Sequence, residues 1–212
     1  MANLRAIRTR IKSVENTRQI TKSMKMVAAA KLRKTQAAFG SLRTYSDECG
    51  KLLSEAAAGQ PTADNPYLTT HQACQKVCYV LIVGNRGLCG TYNQGLLRYF
   101  ENLIREDDRE KYIIVCGRWG KDLIAAAGIR AQENLELSDT PTHEEALLLA
   151  EKLKQIYREG SADEIVLVYQ HYRSVLSQVP TQSTLLPLNR EEHAASEVRT
   201  IFEPDRDSIL NI

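Results

Sequence analysis

The chain has 212 residues, 43% hydrophobic and 25% charged, with a formal net charge of +2. That composition excludes a disordered chain and leaves room for one core of ordinary size plus one further element. No run approaches roughly 18 consecutive apolar residues, and no charged, apolar and small-residue cleavage pattern opens the chain, so neither a membrane span nor a secretory signal is expected.

The small net charge hides an asymmetry: residues 1–57 hold 12 Lys and Arg against 4 Asp and Glu, whereas the rest holds 16 against 22. The basic part reads as one helix from Asn3 to Ala58. Only Gly40 and Gly50 interrupt it, each costing about 1 kcal/mol against Ala, and no proline precedes Pro61. Its apolar positions step by three and four in two runs. These are Leu4, Ile7, Ile11 and Val14, then Leu42, Tyr45, Cys49, Leu52 and Ala56, with a slipped register through Ile20, Met24, Val27 and Leu32 between them. At a rise of about 1.5 Å per residue the helix is about 80 Å long, against about 45 Å for a compact globule of this chain length. It is expected to protrude and to need a partner helix along its seams, as a coiled coil.

A turn-rich linker follows, GQPTADNP, and sets a boundary that leaves residues 59–75 as linker and 76–212 as a second domain. Beyond it KVCYVLIV (Lys76 to Val83) reads as a buried strand, GNRGLCG as a loop and Thr91 to Glu106 as a helix. Lys111 to Cys116 is a strand, Arg118 to Ala127 a helix stopped by Gly128, and a short strand is expected near Ile129. Thr142 with Glu145 forms a capping box that opens a helix to Glu159, closed by Gly160. Glu164 to Gln170 is another strand, and Ser174 to Leu188 an extended return strand bent at Pro180 and Pro187. The alternation predicts a Rossmann-like α/β domain with a mostly parallel sheet and an antiparallel edge, preceded by the long coiled-coil helix.

Several chemistries are suggested by spacing and then weakened by it. Gly84, Gly87 and Gly90 lie between a strand and a helix, but the G-x-G pair and the acidic residue of a dinucleotide fingerprint are absent; GRWGKD (Gly117 to Asp122) lacks the spacing and Ser/Thr of a P-loop. Cys89, on a turn before a helix, could be a nucleophile with His71, His143, His171 or His193 as base, yet Thr91 stands where an elbow wants glycine. His71, Cys74 and Cys78 have loose metal-ligand spacing without a second pair. The five cysteines, Cys49, Cys74, Cys78, Cys89 and Cys116, are odd in number and scattered, as suits free thiols in a reducing, cytosolic setting. Residues 1–43 carry 11 basic residues and one acid, Glu15, a footprint shared by nucleic-acid binders, anionic-surface binders and transit peptides. No zipper, aromatic stacking pattern or cleavage signal accompanies it, and a solvated face on a coiled-coil helix is the plainer reading.

Three separated stretches decide among these. IRTRIKSVENTRQITKSMKMVAAAKLRKTQ (Ile7 to Gln36), NRGLCG (Asn85 to Gly90), and SQVPTQSTLLPL (Ser177 to Leu188) with FEPD (Phe202 to Asp205) resemble, in order and spacing, the gamma subunit family of F-type ATP synthase. The resemblance covers the whole chain. It implies the central rotor shaft of a proton-driven synthase, coupling rotation of the membrane c-subunit ring to the catalytic beta subunits, required for proton flow and for regulation of ATPase activity. Alpha, beta, epsilon and delta subunits and the c-ring are the implied partners, and no nucleic acid is expected. By the family pattern Met24, Lys25, Arg86 and Cys89 lie near the acidic lever loops of the beta subunits, and Ala28, Ala29 and Ala30 allow close passage. Leu4, Ile7, Ile11, Val14, Leu42, Tyr45 and Leu52 form the shaft seam. The family implies no catalytic residue, cofactor or metal in this chain. It implies a peripheral place on the cytoplasmic face of the inner (plasma) membrane, bacterial rather than organellar, since no chloroplast-type cysteine insert is present. Two departures stand out: Asn85 occupies a position usually held by Asp, and the sequence stops at EPDRDSILNI, where the family continues into a C-terminal shaft helix expected to be missing here.

Overall fold

The structure, a computed structural model, describes residues 4–58, 66–68, 74–188 and Glu203. Most of the expected linker lies outside the described residues, as do His71, His193 and, of the FEPD stretch, Phe202, Pro204 and Asp205. The chain divides into two compact units, Met1–Glu55 and Ala56–Ile212.

The first unit is α1, Leu4–Ala58. Its Ser and Thr residues, poor helix formers because their hydroxyls compete for backbone partners, turn that tendency inward. Thr9 donates to Arg5 O and Thr17 to Ser13 O, each at 3.0 Å, and Ser23 donates to Gln19 O at 3.1 Å. Nothing else in this unit can cover its apolar positions. Leu4, Ile7, Ile11, Val14, Leu42, Tyr45 and Leu52 are 47–69% exposed.

The second unit is built on five strands in the order β3-β2-β1-β4-β5. They are β1 (Lys76–Ile82), β2 (Glu110–Cys116), β3 (Glu133–Leu135), β4 (Glu164–Ser174) and β5 (Ser177–Leu186), with α2 (Tyr92–Glu106), α3 (Gly120–Ala126) and α4 (His143–Arg158) between them. β1 pairs in parallel with β2 and β4, β2 in parallel with β3, and β5 returns antiparallel to β4. The sheet is therefore mostly parallel with one antiparallel edge, as the alternation predicts. Apolar residues on successive positions of β1 bury both of its faces. Val77, Tyr79 and Leu81 pack in one cluster with Leu96, Leu97 and Phe100 of α2 and Ile124 of α3. Cys78 and Val80 pack in the other with Leu153, Ile156 and Tyr157 of α4. Each such side chain contributes roughly 1.5–3 kcal/mol on burial, and Tyr79 meets Phe100 edge to face at 5.7 Å between centroids.

The predicted capping box opens α4: Thr142 Oγ1 accepts from Glu145 N–H at 3.3 Å, and Glu145 Oε2 accepts from Thr142 N–H at 2.8 Å. The third strand lies later than expected, at Glu133–Leu135 rather than near Ile129. Gly128, at φ +74°, ends α3 in a turn in which Ile129 N–H still bonds Ile124 O at 3.0 Å, so Ile129 belongs to the helix cap. Where an extended return bent at two prolines is expected, the chain makes a hairpin. β4 runs on to Ser174 and turns at Val175 and Leu176, and Pro180 is accommodated because β5 is an edge strand.

Arg109, the residue before β2, joins the entry to β2 with the start of β4 and, through Asp107, with Tyr79 in the middle of β1. Its guanidinium donates to Asp107 at 2.9 Å through both Nε and Nη2 and to Glu164 at 2.6 Å, while Tyr79 OH donates to Asp107 Oδ2 at 2.6 Å. The Arg109 hydrogen bonds hold the Asp107 carboxyl well below the usual carboxylate range, against the opposing effect of burial. A depressed folded pKa stabilises above the ordinary aspartate value of about 3.9 and is lost as pH falls through the folded value. Arg109→Ala is expected to lower unfolding free energy in urea by roughly 1.5–3 kcal/mol at neutral pH, with the gap to wild type closing below about pH 4. Glycines of the second unit differ sharply in what they allow. A Cβ at Gly120 would lie 2.1 Å from Val115 Cγ1, whereas at Gly95 the nearest atom would be Gln170 Nε2 at 3.8 Å. Gly120→Ala should destabilise by roughly 1–3 kcal/mol through overpacking, and Gly95→Ala should be neutral or stabilise by up to about 1 kcal/mol, both read from melting curves.

Candidate functional site

The parallel strands β1, β2 and β3 end at one edge of the sheet, and the loops that leave them meet there. In the loop after β1, Gly84 N–H donates to Asn93 Oδ1 at 2.9 Å, joining the loop to the buried first turn of α2. Asn85 Nδ2 donates to Leu137 O at 2.7 Å, and Asn85 Oδ1 accepts from Arg118 N–H at 2.9 Å. Arg86 pairs with Asp139, both side chains about half exposed or more (63% and 47%). The next residues are displayed: Leu88 is 93% exposed and Cys89 is exposed. Leu88 adopts φ 58° and Gly90 φ 62°. A left-handed backbone costs a non-glycine residue roughly 1–2 kcal/mol, so strain here accompanies an outward-pointing apolar side chain. Trp119, the last residue of the loop after β2 and the N-cap of α3, is also 46% exposed.

Arg86 and Cys89 thus share one loop at the C-terminal edge of the sheet. Met24 and Lys25 are consecutive exposed residues of α1, in the other unit. Sequence reasoning missed Leu137, Asp139, Arg118 and Trp119. Asn85 reaches partners 33 and 52 positions away, and no local pattern announces such a contact; only the opposite charges of Arg86 and Asp139 hint at one.

The sheet order reverses between β1 and β4, the place where α/β sheets commonly hold ligands. Several polar groups there are engaged within the protein. Gly84 N–H is taken by Asn93, Gln170 Nε2 donates to Tyr92 O at 2.9 Å, and Gly95 N–H bonds Thr91 O at 2.6 Å. Gln170 Oε1 is a buried acceptor with no partner among the described residues. The glycines of GRWGKD serve close packing. Gly117 has φ +119°, and a Cβ there would lie 2.5 Å from Val83 O.

Cys78 and Cys116 lie in one buried cluster, whereas Cys89 is exposed and Cys49 belongs to the first unit. Burial pushes Cys78 up to about 12 and Cys116 up to about 11, and Cys74 Sγ accepts from Arg109 Nη1 at 3.0 Å. Among the described histidines, His171 lies against Tyr169 at 6.4 Å and His143 opens α4. Among the described residues no three His, Cys, Asp or Glu side chains converge as metal ligands.

A long basic helix with an exposed apolar seam, joined in sequence to a small Rossmann-like α/β unit whose loops display side chains at one sheet edge, defines a protein built for contacts with other chains. Comparison with known proteins agrees. The sequence matches the ATP synthase family over residues 3–212. It is 37% identical over 211 residues to the ATP synthase gamma chain of Desulfitobacterium hafniense, an alignment covering 99% of this chain and 74% of that one. It is 34% identical over 213 residues to the ATP synthase gamma chain of Moorella thermoacetica, covering 100% and 75%. This chain belongs to the ATP synthase gamma chain family. Among solved structures it shares its fold with a chain of the Tetrahymena thermophila mitochondrial ATP synthase central stalk and c-ring, at TM-score 0.65 and 20% identity over 91% of this chain and 84% of that one. A chain of the Euglena gracilis mitochondrial ATP synthase rotor gives 0.57 and 22%, over 86% and 62%.

The exposure pattern orders the thiols. With a maleimide, Cys89 should react first under native conditions and Cys78 and Cys116 only on unfolding, as read by mass spectrometry after timed labelling. Cys89→Ala should shift stability by no more than about 0.5 kcal/mol.

Proposed function

We propose that this chain acts as the central rotor shaft of a proton-driven F-type ATP synthase, carrying rotation of the membrane c-ring to the catalytic beta subunits. In this reading α1 lies within the ring of alternating alpha and beta subunits, paired along its seam with a second helix. Met24, Lys25, Arg86 and Cys89 meet the acidic lever loops of the beta subunits. The α/β unit stands at the foot of the stalk near epsilon and the c-ring, and delta is a further subunit of the complex. The chain contributes no catalytic group of its own; it pushes each beta subunit through its binding states and thereby supports proton flow and regulation of ATPase activity. Its place is peripheral, on the cytoplasmic face of a bacterial inner membrane. Bacterial relatives support that placement, and among the described residues no helix is long and apolar enough to cross a membrane.

The observation that carries the reading is α1 itself: 55 residues of helix whose apolar seam lies exposed and whose first 43 positions include 11 Lys and Arg. A basic shaft suits acidic levers because charge attraction is long-ranged and weakly directional, so it can be remade at successive rotor angles. Mixing the chain with alpha and beta subunits of a bacterial relative should yield a complex on size exclusion that hydrolyses ATP. Lys25→Glu should weaken that complex roughly 3- to 10-fold at low salt, with the difference shrinking as the Debye length falls toward about 3 Å at 1 M. Failure to associate, by this chain and by one extended with a relative's C-terminal helix, would sink the rotor reading.

A further inference from the structure

We infer that α1 is self-complementary, and that the chain pairs with a second copy of itself as an antiparallel coiled coil through the exposed seam. The inference goes beyond the rotor reading without resting on it, since it concerns the free chain, before any other helix covers that seam.

The seam reads alike from either end. Leu4 and Leu52 lie equally far from Ala28, as do Ile7 and Cys49, Ile11 and Tyr45, Val14 and Leu42, and, nearer the middle, Met24 and Leu32. All but Cys49, which is half-buried, stand exposed. With Leu4, Ile11, Leu42 and Cys49 at a positions and Ile7, Val14, Tyr45 and Leu52 at d, each outer pair joins an a residue to a d residue. That is the layer two heptads make when they run in opposite directions. A two-fold axis beside Ala28 therefore stacks the first run of each copy on the second run of the other, the same patch serving both sides. Around the axis the match is looser, Ile20 facing Gln36 and Val27 facing Ala29, and the three alanines at 28–30 let the backbones approach.

Charge selects the direction. Residues 1–43 hold 11 Lys and Arg against Glu15, whereas residues 44–57 hold Lys51 against Asp47, Glu48 and Glu55. A parallel pair would lay the basic stretches on each other over their whole length. The antiparallel pair sets each acidic end beside the other copy's basic start. Arg10 and Glu48 both take g positions, which flank one another when the helices oppose, so each copy's Arg10 meets the partner's Glu48. Glu48 otherwise pairs with Lys51 at 2.6 Å, an exposed contact that holds it only weakly. The middle has no such relief, because Arg18 to Lys34 includes no acid and the two copies repel there. Salt screens that repulsion. The dimer should therefore tighten as salt rises, the opposite of the Lys25-dependent complex with alpha and beta subunits.

The test uses the full chain. Analytical ultracentrifugation should show a monomer–dimer equilibrium whose Kd falls about fivefold between about 0.1 M and about 0.5 M sodium chloride. Ile11→Asp, at an exposed position, should weaken the dimer at least about tenfold while the melting curve of the α/β unit is unchanged. Arg10→Glu should weaken it about threefold, and adding Glu48→Arg should restore it. With Cys74→Ser and Cys89→Ser, oxidation by copper phenanthroline should leave Cys49 without a crosslink. Adding Ile7→Cys should then give a disulfide-linked dimer, lost again with Cys49→Ser. A crosslink through Cys49 without Ile7→Cys would reveal a parallel pair and overturn the inference. So would a chain that stays monomeric at every salt concentration, leaving the seam to a different partner, or a dimer indifferent to Ile11→Asp, which would lie on another surface. Association with alpha and beta subunits is read separately, so the rotor reading survives any of these outcomes.

Discussion

The second unit depends on a single constraint: β1 has no face turned to water. Val77, Cys78, Val80 and Leu81 are fully buried and Tyr79 is 2% exposed, so helices must cover the strand on both sides. Coverage of both faces favours parallel neighbours joined by crossover helices, because a hairpin connection would leave one face bare. Parallel strands all point the same way. Their outgoing loops therefore collect at one edge, and the Asn85 contacts to Leu137 and Arg118 become possible only because three such loops leave side by side. The incoming ends collect at the opposite edge, where Arg109 and Asp107 neutralise each other and join the entry to β2 with the start of β4 and with Tyr79 of β1. Apolar burial in one strand thus sets where the polar chemistry can be.

The first unit obeys the opposite rule. A lone helix has no interior, and the seven seam residues of α1 keep about half or more of their surface in water. Covering a Leu, Ile or Val fully would contribute roughly 1.5–3 kcal/mol each, stabilisation that these exposed positions of α1 lack. The charge distribution matches this division. Basic residues concentrate on the element that has no core, and the acidic excess lies in the part that folds around its own. A helix repelling itself through a row of like charges is weakly stable alone and gains from an acidic surrounding.

How much of this was legible in the sequence varied with the range of the interaction. Local signals were sound: the Thr142 and Glu145 capping box, the long proline-free helix, and the unbroken apolar run of β1 each come from residues within a few positions of one another. The third strand was misplaced near Ile129 because the last turn of α3 extends through Gly128 to a cap that claims that residue. The pairing of Gln132 with Ile113, at 2.9 Å between backbone groups and 2.7 Å through the side chain, prepares the strand that begins at the next residue, Glu133. Such partners are invisible to periodicity. The loop at the sheet edge was legible as Gly84 to Gly90, but its mechanics were not, since Asn85, Arg118, Leu137 and Asp139 come from three separate connections.

That loop also shows how one local grammar can serve two ends. A glycine-rich turn between a strand and a helix can cradle a phosphate when its backbone N–H groups converge on open space. Here the first of those groups turns inward: Gly84 N–H goes to Asn93 Oδ1, and in the first turn of α2 Tyr92 N–H goes to Cys89 O at 3.3 Å. Asn93 is the deciding residue, because a polar side chain buried at the first turn of α2 fills the place where an anion would accept the same hydrogen bond. With the Gly84 donor used inside, the loop displays the Leu88 and Cys89 side chains outward. Leu88 and Cys89 stand exposed there, and the arginine beside them is paired with Asp139.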